Sequence, residues 1–425
     1  MRATWSLADQ GLSSLSNFGV SLVAARELPG SGFGSYVLAF YAYTLCLGVA
    51  YAVGSEPYQV RFSHTPFSAD LRRARGQLLG TTLAVALMGT ILLLAVAAVS
   101  GSLRAPFVVA GLALPGLLLQ DVTRQLYFAD GRPWWATLSD GLWVAVSAGA
   151  IAVLWVSGGM HSSYLLLAAW ACGAWVGAAF GLLHLGVVPR LNGIGAWLRE
   201  NSSMAVSFTA DFVSMAVAGQ LVIYLLPLIV SLSAVGSMQG AALLYGPLAV
   251  VMTGSRAFGV PEGVRIRHGG PMALRRFEGG YGAGLFAIAA VYFAAVLLLP
   301  ATWGRFILGA SWAGSSPLLL WVGLSMLGTA LAVAPAQGLR ILAAGRRILL
   351  ARAVDAPITI ALSITGAFLG GVSGAAMGLG AAKLLAAGIW WLQFLRACRD
   401  DRKGCSPHPA GPETAVVPSN LRSIG

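Results

Sequence analysis

Charge is scarce in this sequence. Only 10% of its 425 residues are Asp, Glu, Lys or Arg, against about 25% in a soluble globular chain. With 57% hydrophobic residues in long runs between short basic loops, an ordinary water-soluble domain is excluded and a polytopic membrane protein is indicated. Lysine is nearly missing: Lys383 and Lys403 stand among arginines. Cysteine gives no framework. Cys46 and Cys172 lie in apolar runs and Cys398 and Cys405 near the C-terminus, without metal-ligand spacing, so packing explains them and no metal site is expected. No Walker motif is present, which excludes ATP hydrolysis by this chain. No unbroken apolar core follows Met1, because Asp9, Gln10 and Asn17 interrupt it, so no cleaved signal is expected. The net charge of +12 does not indicate nucleic acid, since the arginines flank apolar helices, where topology demands them.

What is present is a repeat. Ala8-Asp9 matches Ala210-Asp211 and Gly34-Ser35 matches Gly236-Ser237, each 202 residues on. Val60-Arg61 with His64 matches Val264-Arg265 with His268 at 204, and Leu71-Arg72-Arg73 and Gly76 match Leu274-Arg275-Arg276 and Gly279 at 203. Ala129-Asp130-Gly131-Arg132 before Asp140 resembles Ala343-Ala344-Gly345-Arg346 before Asp355. A register kept across helix, turn, helix and loop indicates tandem duplication.

A spanning helix needs about 20 apolar residues. The sequence predicts an all-α fold with twelve such helices, near 4–26, 33–57, 78–100, 106–127, 134–157, 163–188, 204–230, 234–258, 280–302, 316–338, 350–370 and 372–396. They divide into six-helix lobes over 1–200 and 201–396, with a disordered cytoplasmic tail over 397–425. If the N-terminus is cytoplasmic, nearly every cation falls inside. Only Arg26, Arg104 and Arg305 fall outside, and Lys383 is left within a span. Both termini are therefore expected in the cytoplasm, with the lobes parallel. Glu27 is the only carboxylate on the outer side. A glycosyltransferase or ligase working there would want paired carboxylates or a metal, so transport is expected and not an enzyme.

Charges within spans are expensive and mark candidate functional residues. Asp9 in the first helix and its repeat partner Asp211 in the seventh sit among Ser13, Ser16, Asn17, Ser207, Thr209, Ser214 and Gln220. Both helices should line a wet interior. Glu56, Asp121, Arg124, Asp140 and Asp355, with Arg61, Arg256, Arg340 and Arg352, are predicted to ring the cytoplasmic mouth. There the arginines attract an anionic head group, and acid–arginine pairs act as gates. Asp9 or Asp211 is also a candidate site for a coupling ion, Na+ or H+. Lys383 is too deep to snorkel and must face a cavity or an acid, with phosphate as its candidate ligand. Trp134-Trp135 and Trp390-Trp391 are expected in an interfacial belt.

The segment Ala25-Arg26-Glu27-Leu28-Pro29-Gly30-Ser31-Gly32-Phe33-Gly34-Ser35-Tyr36 resembles the end of the first helix of polysaccharide flippases. These belong to the multidrug/oligosaccharidyl-lipid/polysaccharide (MOP) exporter superfamily. Ser55-Glu56-Pro57 with Arg61, and Phe128-Ala129 with Gly131-Arg132, are similar to that family's second-helix exit and its loop between helices four and five. The resemblance implies a MATE-like V of two lobes around a cation-lined cavity. It also implies alternating access that moves a polyprenyl-diphosphate-linked oligosaccharide to the outer leaflet of the bacterial cytoplasmic membrane, with Arg26, Lys383 and the mouth arginines holding the diphosphate. Membrane lipids, a polysaccharide polymerase and glycosyltransferases are the partners it implies. The alternatives are a cation-coupled drug or metabolite exporter of the same superfamily, the other large twelve-helix transporter class, and a non-transporting scaffold. The loop His64–Arg73 fits the second of these poorly.

Overall fold

The computed structural model describes residues 2–63, 65 and 68–402, with side chains except at 2–4, 6–8, 10, 215–218 and 257. His64 of the repeat, and Lys403, Cys405 and the remainder of the tail, lie outside the described residues. Every regular element among the described residues is helical. Eight helices are long and apolar enough to cross a membrane, or ten when two bent pairs each count as one span.

The first helices are α1 (Arg2–Glu27), α2 (Gly30–Ala50) and α3 (Glu56–Phe62). α1 carries Asp9 and Gln10 and is not among the eight. Between α2 and α3 the chain widens into a π-turn over Tyr51–Ser55, next to Pro57, which has no amide to donate. Ser68 caps α4 (Ala69–Val99) by accepting from the Leu71 amide at 3.1 Å. α5 (Arg104–Ala129), α6 (Pro133–Ser157), α7 (Ser163–Leu185) and the short α8 (Ile194–Glu200) complete the first half. Gly158 and Gly186 take left-handed backbone to end α6 and α7.

The second half starts with α9 (Ser202–Ile229), α10 (Leu232–Leu244) and α11 (Gly246–Arg267). α10 and α11 bend by 57° at their junction. α12 (Pro271–Leu297) begins nine residues before the expected helix at 280, which brings Glu278 inside a helix. The short α13 (Ala301–Leu308) and α14 (Trp312–Ser315) precede α15 (Leu319–Ile341). α16 (Gly345–Arg402) doubles back at Gly370 and Gly371, whose backbone is non-helical. Its two arms touch through glycine: a methyl on Gly366 or on Gly374 would lie 2.0 Å from the other's carbonyl oxygen. α16 remains helical to Arg402, through the first six residues of the expected tail.

Packing follows the repeat. α5 packs on α4 and α7, while α15 packs on α12 and α16. The repeat partners Leu71 and Leu274 are buried in matching apolar clusters, one in each half. The halves meet where α2 lies on α10 and α9. Contact is close at the end holding the turns 28–30 and 230–232, where Gly30 faces Ser233 and the Arg26 guanidinium donates to the Phe306 carbonyl at 2.6 Å.

Candidate functional site

The expected ring of charge is divided into two clusters of opposite sign. The first lies among α1, α5 and α6. Arg124 on α5 is buried and holds three carboxylates. Its Nε donates to Asp9 Oδ2 at 2.8 Å and its Nη1 to Asp121 Oδ1 at 3.3 Å, and Asp140 Oδ2 lies 3.4 Å from Nε. Asp9, expected to line water, is fully buried. Polar partners extend the cluster: Gln120 donates to Asp140 at 2.8 Å, Tyr51 donates to Asp121 at 3.1 Å, and Gln125 donates to the Tyr51 hydroxyl at 2.6 Å. Glycine makes the close approach of α7 on α5 possible. A methyl on Gly181 would lie 2.3 Å from Thr123, one turn from Gln120. With one cation among three acids, this place favours added positive charge.

The second cluster borders a cavity of about 260 Å³ between α9, α11, α15 and α16. Arg256, Arg340, Arg352 and Lys383 line it, with Asp355. Arg352 pairs with Asp211 on α9. The doubling back of α16 brings Lys383 to Asp355, Nζ donating to Oδ1 at 2.9 Å. α15 sits directly on that residue, since a methyl on Gly328 would lie 2.5 Å from the Lys383 carbonyl carbon. Lys383 thus meets both a cavity and an acid. Asp355 also accepts from Thr359 at 3.1 Å and from Trp390 at 3.3 Å. Trp390, expected in an interfacial belt, is instead buried against this carboxylate. Arg256 and Arg340 have no ion-pair partner among the described residues. Four cations against two carboxylates make this cavity anion-attracting.

Other candidates lie elsewhere. Arg26 sits at the opposite end of the bundle, over the Phe306 ring at 5.0 Å. Arg61 is tied to the segment between the halves, donating to Asn201 Oδ1 at 2.9 Å. Glu56 is exposed, within electrostatic reach of Asp211 across the halves.

The repeat explains the division. Asp9 and Asp140 share Arg124, whereas their counterparts Asp211 and Asp355 have separate cations, Arg352 and Lys383. Gln120 and Tyr51 escaped the sequence reading because uncharged polar groups in apolar runs carry no charge signal. Among the described residues no three His, Cys, Asp or Glu side chains are grouped as a metal site requires.

Neither a protein-family model nor a curated protein matches the chain. Solved structures share its fold. A lipid II flippase, MurJ, in an inward closed conformation superposes with a TM-score of 0.70 over 94% of this chain and 91% of that one, at 10% identity. A multidrug resistance MATE family transporter of the MOP superfamily in an inward-facing conformation gives 0.67 over 94% and 99%, at 13% identity. An outward-facing MATE transporter gives 0.56 over 94% and 95%, at 12% identity.

Proposed function

We propose that this chain, which has the fold of MOP superfamily transporters, moves a polyprenyl-diphosphate-linked oligosaccharide or polysaccharide precursor across the bacterial cytoplasmic membrane by alternating access. The observation that carries the reading is the basic cavity of the second half, where Arg256 and Arg340 have no counterion among the described residues and Lys383 keeps further N–H groups free of Asp355. A diphosphate is a compact dianion that such a cluster binds through charge-assisted hydrogen bonds. The lipid tail stays in the bilayer while the cavity shields the hydrated sugar.

In this reading twelve helices form two parallel six-helix lobes over 1–200 and 201–396. α1 serves as a polar first span, and the arms of α16 on either side of Gly370 are the last two. Both termini and the arginine-rich end face the cytoplasm. Close contact at the other end, and the better superposition on inward conformations than on the outward one, support a cavity that faces inward here. The polymerase and glycosyltransferases that use the precursor are the partners, with membrane lipids around the halves.

The acidic cluster around Arg124 favours a second reading, a drug or metabolite exporter coupled to Na+ or H+ through Asp9 and Asp140. Deletion of the gene followed by leaflet analysis of lipid-linked sugars separates the two. Accumulation in the inner leaflet supports the flippase, and an unchanged distribution with raised drug sensitivity supports the exporter.

A further inference from the structure

Behind the cavity wall, Glu278 on α12 is a carboxyl group that the duplication has left without a counterion. It follows Arg75 by 203 residues, the offset that relates Leu71 to Leu274 and Gly76 to Gly279. In the first half that position is a compensated ion pair: Arg75 is buried, bonds Asp130 and donates to the Tyr58 hydroxyl at 3.2 Å. In the second half the sign is reversed, and the counterpart of Asp130 is Ala344. Glu278 is fully buried and has no ion-pair partner among the described residues.

The elements around α12 supply few charges. α11 brings Arg256 near Tyr281, which donates to Ser255 at 2.8 Å. α15 brings Gln337 and, one turn on, Arg340, both at the cavity. α16 brings Cys398, within reach of Glu278, with Asp401, Arg402 and the α12 residue Arg275 around that thiol. None of these cations bonds the carboxyl group. Its hydrogen-bond partner is Gln337, whose Nε2 donates to Glu278 Oε1 at 3.2 Å. Two acceptors are left over, Glu278 Oε2 and Gln337 Oε1, both buried and both without a partner. Turning the amide over exchanges its ends and still sets an oxygen against an oxygen. A hydrogen on Oε2 turns one of these leftover acceptors into a donor and removes the charge from an apolar setting.

We propose that Glu278 is a proton-binding site of this transporter, closed by Gln337 in the helix arrangement seen here. α11 forms its lid. A methyl on Gly259 would lie 2.6 Å from Gln337 Nε2, and one on Gly263 would lie 3.3 Å from Glu278 Oε1. α11 continues across a 57° bend from α10, the helix that packs on the first half. A change at the seam between the halves is therefore transmitted to the lid, and lifting α11 wets the carboxyl and releases its proton. Gln337 also lines the basic cavity, so a proton on Glu278 removes a negative charge beside the anion site, and each ligand favours the other.

The test uses the purified full chain without substrate, so it is independent of what is transported. The infrared carbonyl band of an undissociated carboxylic acid, and the unfolding temperature, are followed as pH rises. In the wild type the unfolding temperature falls as pH rises above the ordinary carboxylate range and levels off where the band disappears. Glu278→Gln, which keeps the hydrogen-bonding shape, loses that band and that fall. Glu278→Asp retains both with a displaced midpoint, and it carries the test if the Gln variant does not fold. Spectra and pH profiles of these variants that superpose on the wild type overturn the proposal.

Discussion

Gly34 on α2 and Gly236 on α10 are repeat partners 202 residues apart, and they face each other across the seam between the halves. A methyl on Gly34 would lie 1.9 Å from the Leu232 carbonyl oxygen, and one on Gly236 2.5 Å from the Gly30 carbonyl oxygen. The obstruction is backbone on both sides, so neither site can yield by moving a side chain. Gly34→Ala should lower stability by about 1–3 kcal/mol, the range for overpacking a close-packed interior. Gly284→Ala, with nothing within 4 Å of the added methyl, should leave stability unchanged or raise it slightly. Thermal unfolding in one detergent decides it, and equal unfolding temperatures for the two variants would refute the tight seam.

That contact shows how far the sequence could be read. Gly34 and Gly236 were visible as repeat partners, and the turn at Gly370 and Gly371 as a helix boundary, because both follow from local spacing. The all-helical membrane architecture followed from apolar run length. Which acid meets which base was not legible. Asp9 and Arg124 are 115 residues apart, and no local pattern tells that they meet while Asp211 takes Arg352. Glu278 was missed because hydropathy placed the start of its helix at 280, so the residue counted as loop. The broken segment from Ala301 to Ser315 was passed over for a similar reason, since its helices are too short for a window of spanning length.

Arg124 concentrates the compensation of three carboxylates on one side chain. Arg124→Leu removes it and leaves Asp9, Asp121 and Asp140 facing one another. Breaking a buried pair in this way costs about 3–5 kcal/mol. Arg124→Lys should recover only part, because an ammonium on a flexible stem cannot reproduce the fork that reaches both Asp9 and Asp121. Asp9→Asn leaves Arg124 two further acids and should be milder than Arg124→Leu. Urea or thermal unfolding of the three variants gives the order, and an Asp9→Asn cost equal to that of Arg124→Leu would show that Arg124 does not join the acids.

Lys383 and Asp355 meet only because α16 folds back on itself, so their coupling reports that fold. Lys383→Met leaves a carboxylate that still accepts from Thr359 and Trp390, while Asp355→Asn leaves an ammonium beside the cavity arginines. Each single variant should lose more stability than the double variant, with an interaction of about 0.5–3 kcal/mol, as for residues in one polar network. Additive single effects in this cycle would mean that the two side chains do not interact.

Arg26, Arg61, Arg124, Arg256, Arg340 and Lys383, all expected from the sequence to hold the head group, are separated in the structure. Arg256, Arg340 and Lys383 surround one cavity, Arg124 is already bound by three acids, and Arg26 and Arg61 bond backbone or amide oxygens elsewhere. Inorganic pyrophosphate should therefore stabilise the wild type against unfolding. Arg340→Ala should weaken that binding by roughly 1.5–3 kcal/mol, the worth of a hydrogen bond to a charged group, which is about ten- to a hundredfold in affinity. Arg256→Ala should behave alike. Arg26→Ala and Arg61→Ala should bind pyrophosphate as the wild type does, although both lose a tie between chain segments and unfold sooner without ligand. Added salt should weaken wild-type binding and affect the Arg340 variant less, since one screened charge is gone. Loss of pyrophosphate binding in Arg26→Ala with none in Arg340→Ala would place the anion at the other end of the bundle and reverse the assignment of the cavity.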